Sequence, residues 1–223
     1  DDVLSGNVGD NIISGGTGID TVSYSAATSA VTVNLSVGTA QATGGAGTDT
    51  LVGIENLTGS AYNDTLSGNS GNNVLSAGAG VDTVSYANAG AAVTVSLAIG
   101  TAQATGGAGS DTLIDIESLT GSNYNDRLTG NNGNNTLDAG VGVDTMVGGD
   151  GSDTYYVDNA ADVVTEGNAT QATGGLDTVI TSVSSYTLGA NIENGQLTNA
   201  GAANLTGNSL NNTLIAGAGN NSL

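Results

Sequence analysis

The 223-residue chain has no cysteine, proline, tryptophan, phenylalanine or histidine, and only one basic residue, Arg127. Without cysteine there is neither a disulfide framework nor a thiolate metal site, and the redox compartment leaves no trace. Without histidine the commonest general base and the imidazole metal ligands are missing. Seven tyrosines supply all the aromatic mass. Val, Ile, Leu and Ala must therefore build nearly the whole core, which suits a thin layer between closely spaced sheets. Twenty-one acidic residues face the single base, for a formal charge of -20. Such a chain repels nucleic acid and anionic membranes. No apolar run is long enough to span a bilayer, and the first residues do not read as a signal peptide. High net charge alone would suggest disorder, but the acids recur in a pattern rather than in runs.

The 37 glycines mark two nested repeats. Asp20-Thr21-Val22-Ser23-Tyr24 returns sixty-two residues later as Asp82-Thr83-Val84-Ser85-Tyr86, and most positions of 20–81 are identical in 82–143. Residues 144–223 form a more divergent third section. Within the long repeat runs a period of nine. Its sixth position is Asp2, Asn11, Asp20; then Asp64, Asn73, Asp82; then Asp126, Asn135, Asp144, Asp153; and finally Asn212 and Asn221. Its eighth position is aliphatic or large throughout: Leu4, Ile13, Val22, Leu66, Leu75, Val84, Leu128, Leu137, Met146, Tyr155. Glycines at positions one, two and four accept positive φ and make a tight turn, and the remainder forms a short strand with position eight inward. Two such units make an 18-residue coil, and successive coils stack as parallel strands about 4.8 Å apart. The spacing thus predicts an all-β chain, a parallel β-roll or β-helix solenoid running continuously over 1–223. Two segments, 23–43 and 85–105, break the period. Their alternating Val31-Thr32-Val33 and Val93-Thr94-Val95 predict wider rungs or small side hairpins.

Side chains 18 residues apart lie one above the other in such a coil. Asp2 with Asp20, Asp64 with Asp82, and Asp126 with Asp144 are stacked acids, and Asn135 with Asp153 is a mixed pair. Carboxylates stacked about 5 Å apart repel unless a counterion intervenes, and a hard dication reverses the sign. Calcium takes six to eight oxygens in flexible geometry, including the carbonyls that a glycine turn exposes, whereas magnesium demands a strict octahedron and zinc favours His or Cys.

The repeat Gly-Gly-x-Gly-x-Asp-x-apolar-x resembles the RTX (hemolysin-type) calcium-binding nonapeptide. The fullest matches are Gly15-Gly16-Thr17-Gly18-Ile19-Asp20, Gly44-Gly45-Ala46-Gly47-Thr48-Asp49, Gly106-Gly107-Ala108-Gly109-Ser110-Asp111 and Gly148-Gly149-Asp150-Gly151-Ser152-Asp153. Ala77-Gly78-Ala79-Gly80-Val81-Asp82 and Ala139-Gly140-Val141-Gly142-Val143-Asp144 differ only at the first glycine. The resemblance implies a parallel β-roll with several calcium ions between turns. They would be held by Asp2, Asp20, Asp49, Asp64, Asp82, Asp111, Asp126, Asp144 and Asp153. The turn carbonyls would come from Gly16, Gly18, Gly45, Gly47, Gly78, Gly80, Gly107, Gly109, Gly140, Gly142, Gly149 and Gly151. The pairs Asp64/Asp82 and Asp126/Asp144 are the leading candidates. It also implies one-step export of the unfolded chain, and folding outside the cell in millimolar calcium. Sixth-position asparagines should bind calcium weakly and form Asn ladders instead. Glu55, Glu117 and Glu193 read as surface or turn residues.

Three function classes follow. Evenly repeated acids without a unique constellation argue against an enzyme. A structural role is favoured: a secreted, extracellular or cell-surface component of a surface layer, filament, biofilm matrix or adhesin that folds and assembles on calcium. Both ends lie in mid-register without a polar cap, which suits end-to-end self-association. The alternative is a calcium-dependent folding and secretion module of a larger secreted enzyme or toxin. No nucleic acid and no membrane insertion are expected of either.

Overall fold

A turn every nine residues leaves room for little else, and most strands are three residues long. A computed structural model describes residues 1–167 and 174–223. Among these residues every regular element is a strand, and no helix is long and apolar enough to cross a membrane. The chain forms two compact units, Asp1–Val93 with Ile99–Ser118, and Thr94–Ala98 with Leu119–Leu223.

In the first unit, successive strands alternate between facing sheets, as a roll requires. Val3–Leu4, Thr21–Ser23, Asn56–Thr58, Val74–Ser76 and Gly109–Ile114 lie side by side in one sheet. Ile12–Ser14 joins Gly47–Val52, and Thr32–Asn34 joins Thr65–Ser67, whose other edge pairs with Thr83–Ser85. The pairing is parallel and keeps the 18-residue register wherever the nonapeptides are uninterrupted: Val3↔Thr21, Leu57↔Leu75 and Thr65↔Thr83. The period-breaking segment does both things expected of it. Thr32–Asn34 is a rung, and Gln41–Gly44 then pairs antiparallel with Gly47–Val52 as a hairpin. The second long repeat has the same hairpin, Gln103–Gly106 with Gly109–Ile114.

The second unit repeats the alternation. Arg127–Thr129, Thr145–Val147 and Val163–Thr165 pair at 18-residue spacing, with Thr94–Ser96 on the outer side of the first. On the other face Thr136–Asp138, Thr154–Val157, Thr178–Thr181, Asn194–Leu197 and Thr213–Ile215 run parallel. Each unit is a parallel β-roll.

The core is as thin as the composition requires. Val22, Leu57 and Leu75 stack in one column, and Leu128 and Met146 in another, all essentially inaccessible to solvent. Each buried aliphatic contributes about 1.5–3 kcal/mol, so a one-residue column per sheet accumulates stability rung by rung. Some turns approach so closely that their glycines have no substitute. Gly80 adopts φ +152°, and a Cβ there would sit 2.7 Å from the carbonyl oxygen of Tyr62 in the turn below.

Candidate metal centres

Within each unit the roll stacks the sixth-position residues in vertical ladders, and one hydrogen bond recurs along them. The backbone N–H of a sixth-position residue donates to the carboxylate one rung on: Asp2 to Asp20 Oδ1 (2.7 Å), Asp64 to Asp82 (2.6 Å), Asp126 to Asp144 (2.7 Å) and Asn135 to Asp153 (2.7 Å). All four pairs expected from the spacing are therefore brought together. Two of these ladders continue, one from the Asp144 amide to Asp162 (3.0 Å) and the other from the Asp153 amide to Asp177 (2.8 Å). Glu55, Glu117 and Glu193, read from the sequence as surface or turn residues, are half-buried members of these ladders. Their carboxylates accept the amides of Asp20, Asp82 and Asp177.

What the second carboxylate oxygen does divides the acids into three groups. In Asp20, Asp82, Asp144, Asp153 and Asp177 it is buried with no hydrogen-bond partner. Asp64 and Asp126 are spent on their own turns. Asp64 accepts from the Ser60 amide and hydroxyl and from the Val31 amide (2.8 Å), and Asp126 accepts from the Ser122 amide and hydroxyl. The difference lies at position two, where these turns carry Ser60 and Ser122 while Asp20, Asp82, Asp144 and Asp153 follow a glycine there. Asp2, at the head of its pair, is exposed.

Asp49 and Asp111 form the third group, and here equal motifs fold differently. Gly44–Gly47 and Gly106–Gly109 close the antiparallel hairpins. The Asp49 carboxylate accepts from Tyr24 Oη (3.1 Å) and Thr43 Oγ1 (3.3 Å), and Asp111 accepts from Tyr86 Oη (3.0 Å). The carbonyls of Gly47 and Gly109 accept from Thr43 and Thr105. Burial, then the adjacent carboxylate, raises both tyrosines far above the ordinary phenol range. Gly45, Gly47, Gly107 and Gly109 thus serve hairpin turns, yet these turns still stack: Gly47 lies over the Gly9 carbonyl and Gly109 over that of Gly71, and the amides of Asn11 and Asn73 donate to Asp49 Oδ1 and Asp111 Oδ1 (both 3.0 Å).

The sixth-position asparagines form no Asn–Asn ladder among the described residues, contrary to expectation. Each supplies its own donor instead. Asn11 Nδ2 donates to the Gly9 carbonyl (2.7 Å), Asn221 Nδ2 to Gly217 (2.8 Å) and Gly219 (3.1 Å), and Asn73 Nδ2 to Glu55 (2.7 Å). An amide N–H reaches turn carbonyls that an aspartate cannot satisfy.

The electrostatics agree with an unmet need for positive charge. Burial, together with neighbouring acids, raises Asp82, and it lifts Asp144 to about 6 and Asp177 to about 7. Burial lifts Asp153 to about 6. Glu166 reaches about 8 through burial and the charges of Asp177 and Asp153. A buried acceptor left unpaired costs about 1–3 kcal/mol, and more when charged, and a chain with one basic residue cannot supply the counter-charge itself. The donor set is all oxygen: free carboxylate oxygens beside glycine turns, which fits a hard dication and calcium best. Gly16, Gly18, Gly78, Gly80, Gly140, Gly149 and Gly151 take positive φ in these turns, and Gly142 lies over the Tyr124 carbonyl.

Three acids outside the expected set stand out. Asp162 lies nine residues after Asp153, so simple extension of the period points to it. Asp177 follows Gly174-Gly175-Leu176, a shortened copy of the turn. Glu166 occupies a first position, where no acid is expected.

No curated protein sequence matches the chain. The family model described as the RTX calcium-binding nonapeptide repeat matches four copies, at residues 1–22, 52–84, 120–155 and 199–223. The matches leave out both hairpins, 41–49 and 103–111, in which the same motif also closes an antiparallel return. Four matched copies covering just over half of the chain, on a parallel β-roll with a ladder of carboxylates, make this protein a member of the RTX calcium-binding nonapeptide repeat family.

Proposed function

We propose that this chain is a secreted, extracellular or cell-surface scaffold, part of a surface layer, filament, biofilm matrix or adhesin, and that it folds and assembles on calcium. The observation that carries the reading is the recurrence of buried, unpartnered Oδ2 atoms, at Asp20 and Asp82 in the first unit and at Asp144, Asp153 and Asp177 in the second. A fold that leaves several carboxylate oxygens dry and unpaired is poorly stable until a cation enters, so binding and folding are one event. Calcium is scarce in cytoplasm and millimolar outside, which favours export before folding. The ligands proposed are these free oxygens together with carbonyls of the glycine turns.

The acids recur in equivalent settings, which supports a structural role over catalysis. Circular dichroism with chelator and with millimolar calcium tests the coupling: the β signal should be largely absent in chelator and return on calcium addition. An unchanged spectrum in chelator would defeat the proposal. Electron microscopy at millimolar calcium tests assembly. Ordered fibres or sheets support the scaffold, whereas dispersed monomers favour a folding and secretion module of a larger enzyme or toxin.

A further inference from the structure

We propose that Asp153, Glu166, Asp177 and Tyr155 form a distinct buried calcium centre in the second unit, with a ligand set that the nonapeptide pattern does not contain. The identity of the ion rests on the calcium reading above; the existence of the site rests on its own geometry.

One ligand oxygen from each of Asp153, Glu166 and Asp177 lies within 4.8 Å of the others. All three side chains are buried, Glu166 being 6% exposed and the two aspartates 1%. The Gly149 amide approaches Glu166, yet neither Glu166 oxygen has a hydrogen-bond partner of good geometry. Tyr155 is fully buried and its hydroxyl is unpartnered as well. A buried tyrosine hydroxyl ordinarily finds a partner, so its isolation here needs a cause.

The backbone explains how these groups meet. Val147 pairs with Thr165, which sets Glu166 beside Gly148 one coil below. Gly148 is the first residue of its nonapeptide, and the next coil places a carboxylate where that turn has only hydrogen. A Cβ built on Gly148 would collide at once with the Tyr155 hydroxyl, Asp153 Oδ2 and Glu166 Oε1. The glycine therefore keeps open a gap on which three side-chain oxygens converge. Asp177 joins through the longer rung, in which Thr154 pairs with Thr178 and the Asp153 amide bonds Asp177 Oδ1, leaving Oδ2 free.

Three carboxylates in a dry pocket are untenable without a counter-charge. The all-oxygen set excludes a preference for zinc, and calcium accommodates the irregular geometry better than magnesium. The nonapeptide turns around Asp20 and Asp82 each offer one free carboxylate oxygen with backbone carbonyls. This centre offers four converging side-chain oxygens, three of them acidic, and more ligand charge means tighter binding. Its ion should be the last to leave.

The test uses the full chain. Bound calcium is counted by native mass spectrometry across a series of buffered free-calcium concentrations, for wild type, Glu166→Gln and Asp82→Asn. Glu166→Gln should lose the most tightly held ion and keep the others, while Asp82→Asn should keep that ion and lose a weaker one. Equal counts and equal midpoints in wild type and Glu166→Gln would overturn the proposal, even where Asp82→Asn shows that the nonapeptide turns bind. A wild type that takes up no calcium would sink both readings together. Terbium supplies a second readout that does not depend on the glutamate variant folding. With terbium bound, tyrosine-sensitised emission at the lowest stoichiometry should fall at least severalfold in Tyr155→Phe, which removes only the hydroxyl and its coupling to the ion. Undiminished emission would overturn the assignment of Tyr155 to the site.

Discussion

Asp82→Asn should change the sign of its effect with calcium. Asp82 is fully buried; its Oδ1 accepts the Asp64 amide at 2.6 Å and its Oδ2 has no partner. The substitution keeps the first oxygen and replaces the second with an N–H donor, which is what the sixth-position asparagines already use to reach turn carbonyls, as Asn221 does at 2.8 and 3.1 Å. In chelator the variant removes a dry, unpaired, charged acceptor that faces the like charges of Asp64 and Glu117. Metal-free stability should rise by about 1–3 kcal/mol. In calcium the same change removes a charged ligand. An ion present at a hundredfold its dissociation constant stabilises the fold by about 2.7 kcal/mol, and most of that should vanish. Circular dichroism reads both numbers, from urea unfolding in millimolar calcium and, in chelator, from refolding driven by the osmolyte trimethylamine N-oxide. Asp64→Asn is the control. Both Asp64 oxygens accept hydrogen bonds from Ser60, and one also from Val31, so an amide nitrogen there would face donors. It should destabilise by about 1–3 kcal/mol in both conditions. If Asp82→Asn shifted the two curves in the same direction by equal amounts, the idea that its free oxygen meets a cation would fail.

The roll itself was legible because its two causes are local. Glycine spacing sets the turns, and the eighth-position aliphatics set the inward face, so Val22, Leu66, Leu75, Leu128, Leu137 and Met146 are buried as read. The 18-residue stacking of acids was legible for the same reason. The hairpins were not separable from the rolls, since Gly44–Asp49 carries a complete nonapeptide motif. A glycine turn followed by a strand suits a parallel coil or an antiparallel return equally. Gly47–Val52 makes both, parallel to Ile12–Ser14 and antiparallel to Gln41–Gly44, and what sets its turn apart is that Tyr24 and Thr43, both outside the motif, claim the Asp49 oxygen. Glu55 and Glu117 escaped because inserted hairpins move them off the nine-residue spacing, though the coil returns them to the ladder beneath Asp20 and Asp82. The distinction between Asp64 and Asp82 was written in the second position, as serine against glycine, and has a plain physical reading in hindsight. A serine hydroxyl and amide can cap a carboxylate that a glycine turn leaves bare.

Two further outcomes follow from the same geometry. Asn73→Ala should cost about 1–3 kcal/mol, because Asn73 is 2% exposed and its amide bonds both the Glu55 carbonyl and the Asn69 N–H. The loss should be equal in chelator and in calcium, as read from osmolyte refolding in the first and a urea melt in the second; a change confined to the calcium curve would make Asn73 a ligand. The pH dependence should run in opposite directions with and without the ion. Burial holds Asp144 and Asp153 at about 6, Asp177 at about 7 and Glu166 at about 8, against roughly 4 for the unfolded chain. Because these values are raised, the folded chain keeps protons that the unfolded chain has released. Stability of the calcium-free chain is therefore fullest below about pH 4 and declines as pH climbs through each folded value, to about pH 8. Calcium binds the ionised oxygens, so the same protons must leave before it enters, and its affinity grows as pH rises through this window by up to about tenfold per unit for each proton displaced. Between pH 6 and 8 the calcium midpoint of folding should fall by at least about tenfold, while in chelator more trimethylamine N-oxide should be needed to fold the chain at pH 8 than at pH 5. A calcium midpoint that is flat or rises over that range would mean the buried carboxylates are not where the ion binds.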